Sequence, residues 1–91
     1  MAILVMAHDP NGSPKEAARW ESLVGDKVRS APGFIFHATY AVDGGYQIVN
    51  SWETREDFQN FYEKEIKPNM RGDAPGSPPQ IFELATLSVR G

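Results

Sequence analysis

Residues 34–52 read FIFHATYAVDGGYQIVNSW, and the fold turns on how this stretch is read. Phe34 to Val42 is aromatic and β-branched, Asp43-Gly44-Gly45 is a tight-turn signal, and Tyr46 to Trp52 resumes with alternating character. Two strand-like runs around so short a glycine turn predict a β-hairpin. Side chains alternate between the faces of a strand. With a two- or four-residue loop around Gly44, the odd residues of the first arm therefore share a face with the even residues of the second. His37, Thr39, Asn50 and Trp52 then lie together, with Phe36, Ala38, Tyr40 and Val49 on the other side. A three-residue loop with a bulge would break this grouping.

Upstream of the hairpin, Ala2 to Ala7 is a continuous apolar run closed by His8-Asp9-Pro10-Asn11-Gly12, which predicts a central strand ending in a turn. Ser13-Pro14-Lys15-Glu16 supplies an N-cap serine, a proline at the first helical position and a glutamate three after the cap. Ala17, Trp20, Val24 and Val28 continue from there as an apolar helical stripe, and Ala31-Pro32-Gly33 ends it. Downstream, Thr54 caps a second predicted helix that carries Phe58, Phe61, Tyr62 and Ile66 on one face and stops at Pro68. Residues 68–79 hold four prolines and two glycines, which predicts a long irregular loop and a lid candidate. Gln80 to Val89 is the last predicted strand.

The order βαββαβ is the split βαβ arrangement, an α+β ferredoxin-like fold with a four-stranded antiparallel sheet and both helices on one face. Phe34, Phe36, Tyr40, Ile81, Phe82, Leu84 and Leu87 give strands two and four more apolar surface than a solvated second face would carry. A second copy covering that face is the expected solution, so the chain is read as a homodimer.

Composition agrees with this reading. Ninety-one residues, 41% hydrophobic and 23% charged, fit a single domain spanning residues 1–91. A chain this short buries only ~60% of the surface it exposes when unfolded, and without cysteine it has no disulfide or thiolate metal site to compensate. The net charge of −3, with Lys and Arg scattered, lacks the basic stripe of a nucleic-acid binder. The apolar run at residues 2–7 is too short for a membrane span or a signal core, so the expectation is a cytoplasmic protein with no membrane partner.

With these elements in place, the chain resembles the dimeric α/β-barrel superfamily, specifically its antibiotic-biosynthesis-monooxygenase-like domains. The resemblance rests on Ala31-Pro32-Gly33-Phe34, Asp43-Gly44-Gly45, Ser51-Trp52-Glu53-Thr54 and Glu56-Asp57-Phe58, and it extends over nearly the whole chain. It implies two subunits with sheets face to face and a ligand cavity between sheet and helices in each. It also implies an activity drawn from cofactor-free monooxygenases, haem-degrading enzymes and small isomerases. Haem-degrading members place an asparagine on strand one, a tryptophan within helix two and a histidine just after it. This chain has Phe61 and Arg71 at the latter two places and no asparagine on strand one, which points away from haem degradation.

The chemistry is read from the hairpin. A histidine beside an asparagine and a tryptophan beneath helices suits the deprotonation of a phenolic or enolic substrate, so His37, Asn50 and Trp52 are the catalytic candidates. Thr39, the Tyr62 hydroxyl and Arg71, which would meet an anionic substrate, are the ligand-binding candidates. The alternative for His37 is a structural histidine satisfied by a neighbour. His8 beside Asp9 reads as a turn residue, since adjacent strand residues point apart. Two histidines 29 positions apart make no metal motif, and Gly44-Gly45 lies in a hairpin with no helix to receive a pyrophosphate, so neither metal nor cofactor is expected. Three functions fit: a cofactor-free monooxygenase of an aromatic or polyketide-like molecule, a non-catalytic ligand-binding or structural homodimer, or an isomerase or cyclase using the same pocket.

Overall fold

The computed structural model describes residues 1–70 and 79–90. Strand β1 (Ile3–Asp9) is followed by helix α1 (Pro14–Arg29), strands β2 (Phe34–Val42) and β3 (Gly45–Trp52), helix α2 (Arg55–Phe61) and strand β4 (Gln80–Glu83). The four strands form one antiparallel sheet in the order β2-β3-β1-β4. The predicted α+β ferredoxin-like fold is what forms.

Local chemistry sets the helix starts. Ser13 is extended and accepts the Glu16 N–H through its hydroxyl at 3.1 Å, with Pro14 opening α1. Thr54 does the same for Asp57 at 3.0 Å. The second helix departs from the uninterrupted helix predicted up to Pro68. It is regular only to Phe61, then widens into a π-helical turn at Tyr62–Ile66 and tightens into a 3₁₀ turn at Lys67–Asn69. Pro68 has no N–H and its ring crowds the carbonyl four residues earlier, so the regular ladder cannot run on through it. This tail is docked onto α1: Arg19 donates to the Asn69 carbonyl at 3.0 Å while pairing with Glu16, and Lys27 meets Glu65 at 3.1 Å.

The hairpin loop has two residues, because Val42 pairs with Gly45. Gly44 takes φ +82°, a left-handed conformation that a residue with a Cβ reaches only at a cost. At the other end of β2 a bulge intervenes: Phe34 faces Trp52 and Phe36 faces Ser51, leaving Ile35 as the extra residue. The bulge corrects the expected apolar excess on the outer face. Phe34 turns to the helix side, where it meets the Trp52 ring edge-on at 5.5 Å, and Ile81 also packs against the core. Phe36, Tyr40 and Phe82 keep the outward orientation, and Tyr40 and Phe82 are exposed. Strand β4 is also shorter than the predicted Gln80–Val89. The Leu84 N–H reaches the Ala2 carbonyl at 2.9 Å, and the pairing with β1 ends there.

The core lies between the sheet and the helices and comprises Ile3, Val5, Val24, Trp52, Phe58 and Phe61, with Trp20, Val28, Phe34, Tyr62 and Ile66 packed against it. Trp52 is its centre, 1% exposed, with Phe34 edge-on to its ring and Phe58 and Phe61 tilted against it. No described helix is long and apolar enough to cross a membrane.

Candidate functional site on the helix side of the hairpin

The register of β2 and β3 places His37 opposite Asn50 and Thr39 opposite Ile48, with Trp52 two residues beyond Asn50 on the same face. The two-residue loop preserves the alternation, so His37, Thr39, Asn50 and Trp52 do share the side on which the helices pack. They occupy different depths. His37 and Thr39 are exposed, Asn50 is half-buried, and Trp52 is sealed in the core.

A short relay of hydrogen bonds links them in pairs. The Thr39 hydroxyl and His37 Nε2 lie 3.3 Å apart, and either can donate, depending on the imidazole tautomer. The Trp52 indole N–H donates to Asn50 Oδ1 at 2.6 Å. That bond occupies one lone pair of the Asn50 oxygen and leaves the amide N–H₂ as the donor Asn50 can offer a ligand. Trp52 orients Asn50 from inside the core and has no surface of its own at the site.

His37 combines an exposed edge with a partly desolvated ring. Burial holds its imidazole below the ordinary value of 6.5, and the Glu21 carboxylate of α1 pulls in the opposite direction without overcoming it. The ring is therefore neutral at pH 7 and able to accept a proton. Glu21 stands 16 residues before His37 on another element, and its charge acts on the ring through space.

The remaining candidates fall elsewhere. Tyr62 sits at the start of the π-helical turn, packs against the core and directs its hydroxyl to the Met70 sulfur at 3.6 Å. Arg71, and with it residues 71–78 of the predicted lid, lies outside the described residues. His8 points to the opposite side of the sheet, as a turn-end residue, where its Nε2 bonds the Gly44 carbonyl at 3.0 Å and ties β1 to the hairpin tip. An open groove of about 480 Å³ runs between the end of α1 and α2, lined by Lys27, Ser30, Pro32, Asp57, Asn60 and Lys64. It holds charges of both signs and none of the hairpin candidates. Among the described residues no group of His, Asp and Glu could hold a metal ion.

No protein-family model matches the chain, and no curated protein matches it. Solved structures do. A haem-degrading protein from Mycobacterium tuberculosis is 23% identical over 98% of this chain and 99% of its own, with a TM-score of 0.64. SnoaB, a cofactor-independent oxygenase from Streptomyces nogalater, is 15% identical over 94% of each chain with the same TM-score, 0.64. A monooxygenase from the ActVA-Orf6 gene of Streptomyces coelicolor, solved with the ligand Nanaomycin D, is 22% identical over 97% of this chain and 92% of its own, at 0.52. At these identities the likeness shows the fold. It is the fold that the hairpin and its flanking helices predict, shared over almost the full length of each chain.

Proposed function

We propose that this protein is a cofactor-free monooxygenase of a small aromatic or polyketide-like molecule, working as a single-domain homodimer. The observation that carries the reading is His37: a neutral imidazole, bonded to Thr39 and opposite Asn50, on the part of the helix-side sheet that the helices leave open. A neutral histidine is the base suited to take a phenolic or enolic proton near pH 7. The O–H bond of the substrate breaks, an N–H bond forms on His37, and the Asn50 amide donates to the resulting oxyanion. Dioxygen, the oxidant, then adds to the electron-rich carbon, the peroxide so formed takes the proton back from His37, and cleavage of its O–O bond with loss of water and of the hydrogen on that carbon leaves a new carbonyl, so one oxygen atom enters the product and the other leaves as water. That SnoaB and the ActVA-Orf6 protein, both described as oxygenases, share the fold supports the choice of reaction.

Haem degradation is disfavoured by the positions themselves. Phe61 is packed into the core against Trp52, at 5.3 Å between ring centroids, and β1 presents Ile3, Val5 and Ala7 to the helix side. None of these offers the polar contacts that the haem-degrading pattern requires.

The homodimer rests on the outer sheet face. Phe36, Tyr40 and Val49, with Phe82 of β4, form an apolar surface that the described residues leave uncovered. Tyr40 at 48% and Phe82 at 46% exposure leave large apolar side chains of this face in solvent, and a contiguous apolar patch marks an interaction site. A copy laid on this face would bury about 1,600 Å² in total. Sedimentation at micromolar concentration should give a dimer, and a monomer would refute this part.

Oxygen uptake with a panel of hydroquinones and anthrones tests the chemistry. Uptake that disappears in His37→Ala while the fold is retained supports it. Binding of the same compounds without uptake would instead establish the non-catalytic reading, and conversion without oxygen consumption the isomerase or cyclase reading.

A further inference from the structure

The groove between α1 and α2 takes no part in the reaction proposed above. It measures about 480 Å³, inside the ~300–1,000 Å³ that small ligands occupy. Its floor is apolar, made by Ala31 and Pro32 of the turn after α1 and by Phe61 of α2. Its rim carries both signs of charge, with Asp57 and Lys64 along α2 and its π-helical extension, and Lys27 of α1 with Glu65. Lys27 and Glu65 pair with each other at 3.1 Å and bridge the two walls. An apolar floor under a rim without net charge suits neither a nucleic acid nor a simple anion. It suits a zwitterion with an apolar body.

Asp57 and Lys64 are the two rim charges left over. Their neighbours are committed elsewhere, Glu63 to Lys67 at 3.5 Å and Arg29 to Glu21 and Asp26. Among the described residues, neither the Asp57 carboxylate nor the Lys64 ammonium has a hydrogen bond or an ion pair. Asp57 is nonetheless held in place. Gly33 takes φ +80°, and a Cβ on it would collide with the Asp57 carboxylate, so the missing side chain is the space in which that carboxylate sits. The Asp57 backbone is fixed by its bond to the Thr54 hydroxyl at 3.0 Å. Lys64 lies two helical turns on, ~10 Å at ~1.5 Å per residue, and a helical side chain leans towards the N-terminus, which takes the ammonium back over Asn60 and Phe61. The turn that carries Lys64 and Glu65 is π-helical, a rare backbone form that recurs at functional sites.

We propose that this groove is a second binding site, for a dipeptide with apolar side chains, its ammonium held by Asp57 and its carboxylate by Lys64. Two extended residues span ~7 Å, which fits between a carboxylate seated on Gly33 and an ammonium reaching back from Lys64. Asn60, between them on the same wall, offers its amide to the peptide group, and the apolar side chains lie on Phe61 and Ala31. A free amino acid is too short to meet both charges. The site uses neither His37 nor the outer sheet face.

Titration of the intact protein with leucyl-leucine, followed through its amide NMR signals, tests this. Saturable one-to-one shifts should appear at Ala31, Asn60, Phe61 and Lys64, with His37, Thr39 and Asn50 unmoved. N-acetyl-leucyl-leucine, which lacks the ammonium, and leucyl-leucinamide, which lacks the carboxylate, should each bind about five-fold more weakly, the worth of one exposed ion pair. Free leucine should lose at least as much, and the deficits should shrink as salt is added. Asp57→Asn keeps the shape that rests on Gly33 and Lys64→Met sits on an exposed rim, so both should fold, which a thermal melt checks. Asp57→Asn should weaken leucyl-leucine while leaving the N-acetyl compound unaffected. Lys64→Met should weaken it while leaving the amide compound unaffected. A merely structural loss would not sort the compounds in this way. Absence of saturable shifts with leucyl-leucine at millimolar concentration, equal affinity for the blocked compounds in the wild type, or shifts confined to another face would overturn the proposal.

Discussion

The helix side of the sheet divides into two halves that obey different rules. Towards one end Ile3, Val5, Phe34 and Trp52 are closed over by Val24 of α1 and Phe58 and Phe61 of α2. Towards the hairpin tip His37, Thr39 and Ala41 of β2 are exposed, and their partners Asn50, Ile48 and Tyr46 on β3 are only half-buried. The closed half holds aromatic rings at 5.3 to 6.1 Å and one satisfied indole N–H. The open half holds the polar groups that can do chemistry. The core and the proposed site are thus segregated along the same two strands, and Trp52 and Asn50, two residues apart, join them through one hydrogen bond.

The sharpest way to break this contrast is to truncate one residue from each half. Trp52→Ala removes the centre of the core and should cost about 3–5 kcal/mol, enough to leave much of the chain unfolded at room temperature. His37→Ala should change stability by no more than about 0.5 kcal/mol, because its one hydrogen bond is exposed, while abolishing turnover. Urea denaturation of both variants measures this. Comparable losses would mean that His37 is a structural residue after all.

A smaller effect is expected at the hairpin tip. Gly44→Ala must hold φ +82°, which costs an L-residue about 1–2 kcal/mol, unless the loop changes type and shifts the register. The crystal structure or amide exchange pattern of the variant should show His37 still opposite Asn50. A register shift would move His37 to the outer face and erase the site with little change in the core.

Ser51→Ala probes the closed half gently. The Ser51 hydroxyl is fully buried and donates to the Ile3 carbonyl at 2.8 Å, so its loss should cost about 1 kcal/mol in a thermal or urea melt without affecting His37.

The smallest effect is a pH dependence confined to the open half. The folded midpoint of His37 lies below 6.5, so in mild acid the unfolded chain binds the proton more readily than the folded one. Stability should therefore fall as pH drops through about 6.5 and level off below the folded midpoint. His37→Gln removes this contribution, so the difference in melting temperature between variant and wild type should shift in favour of the variant on going from above neutrality to mild acid. A pH-independent difference would show that the ring is not desolvated.

Much of the architecture was legible from residues alone because its signals are local. Ser13 and Thr54 cap helices through atoms three residues away, Asp43-Gly44 closes a loop of two, and alternation along β2 and β3 assigns faces without any knowledge of the rest. The grouping of His37, Thr39, Asn50 and Trp52 on one face follows from that alternation, and so does the outward set of Phe36, Tyr40 and Val49. Other features depended on groups distant in the chain. The bulge at Ile35 turns Phe34 inward, edge-on to Trp52, and β4 ends at Glu83, opposite Ile3. The burial of Trp52 was decided only when α1 and α2 packed on the sheet. Burial and through-space charge are properties of the assembled layers, and no local pattern encodes them.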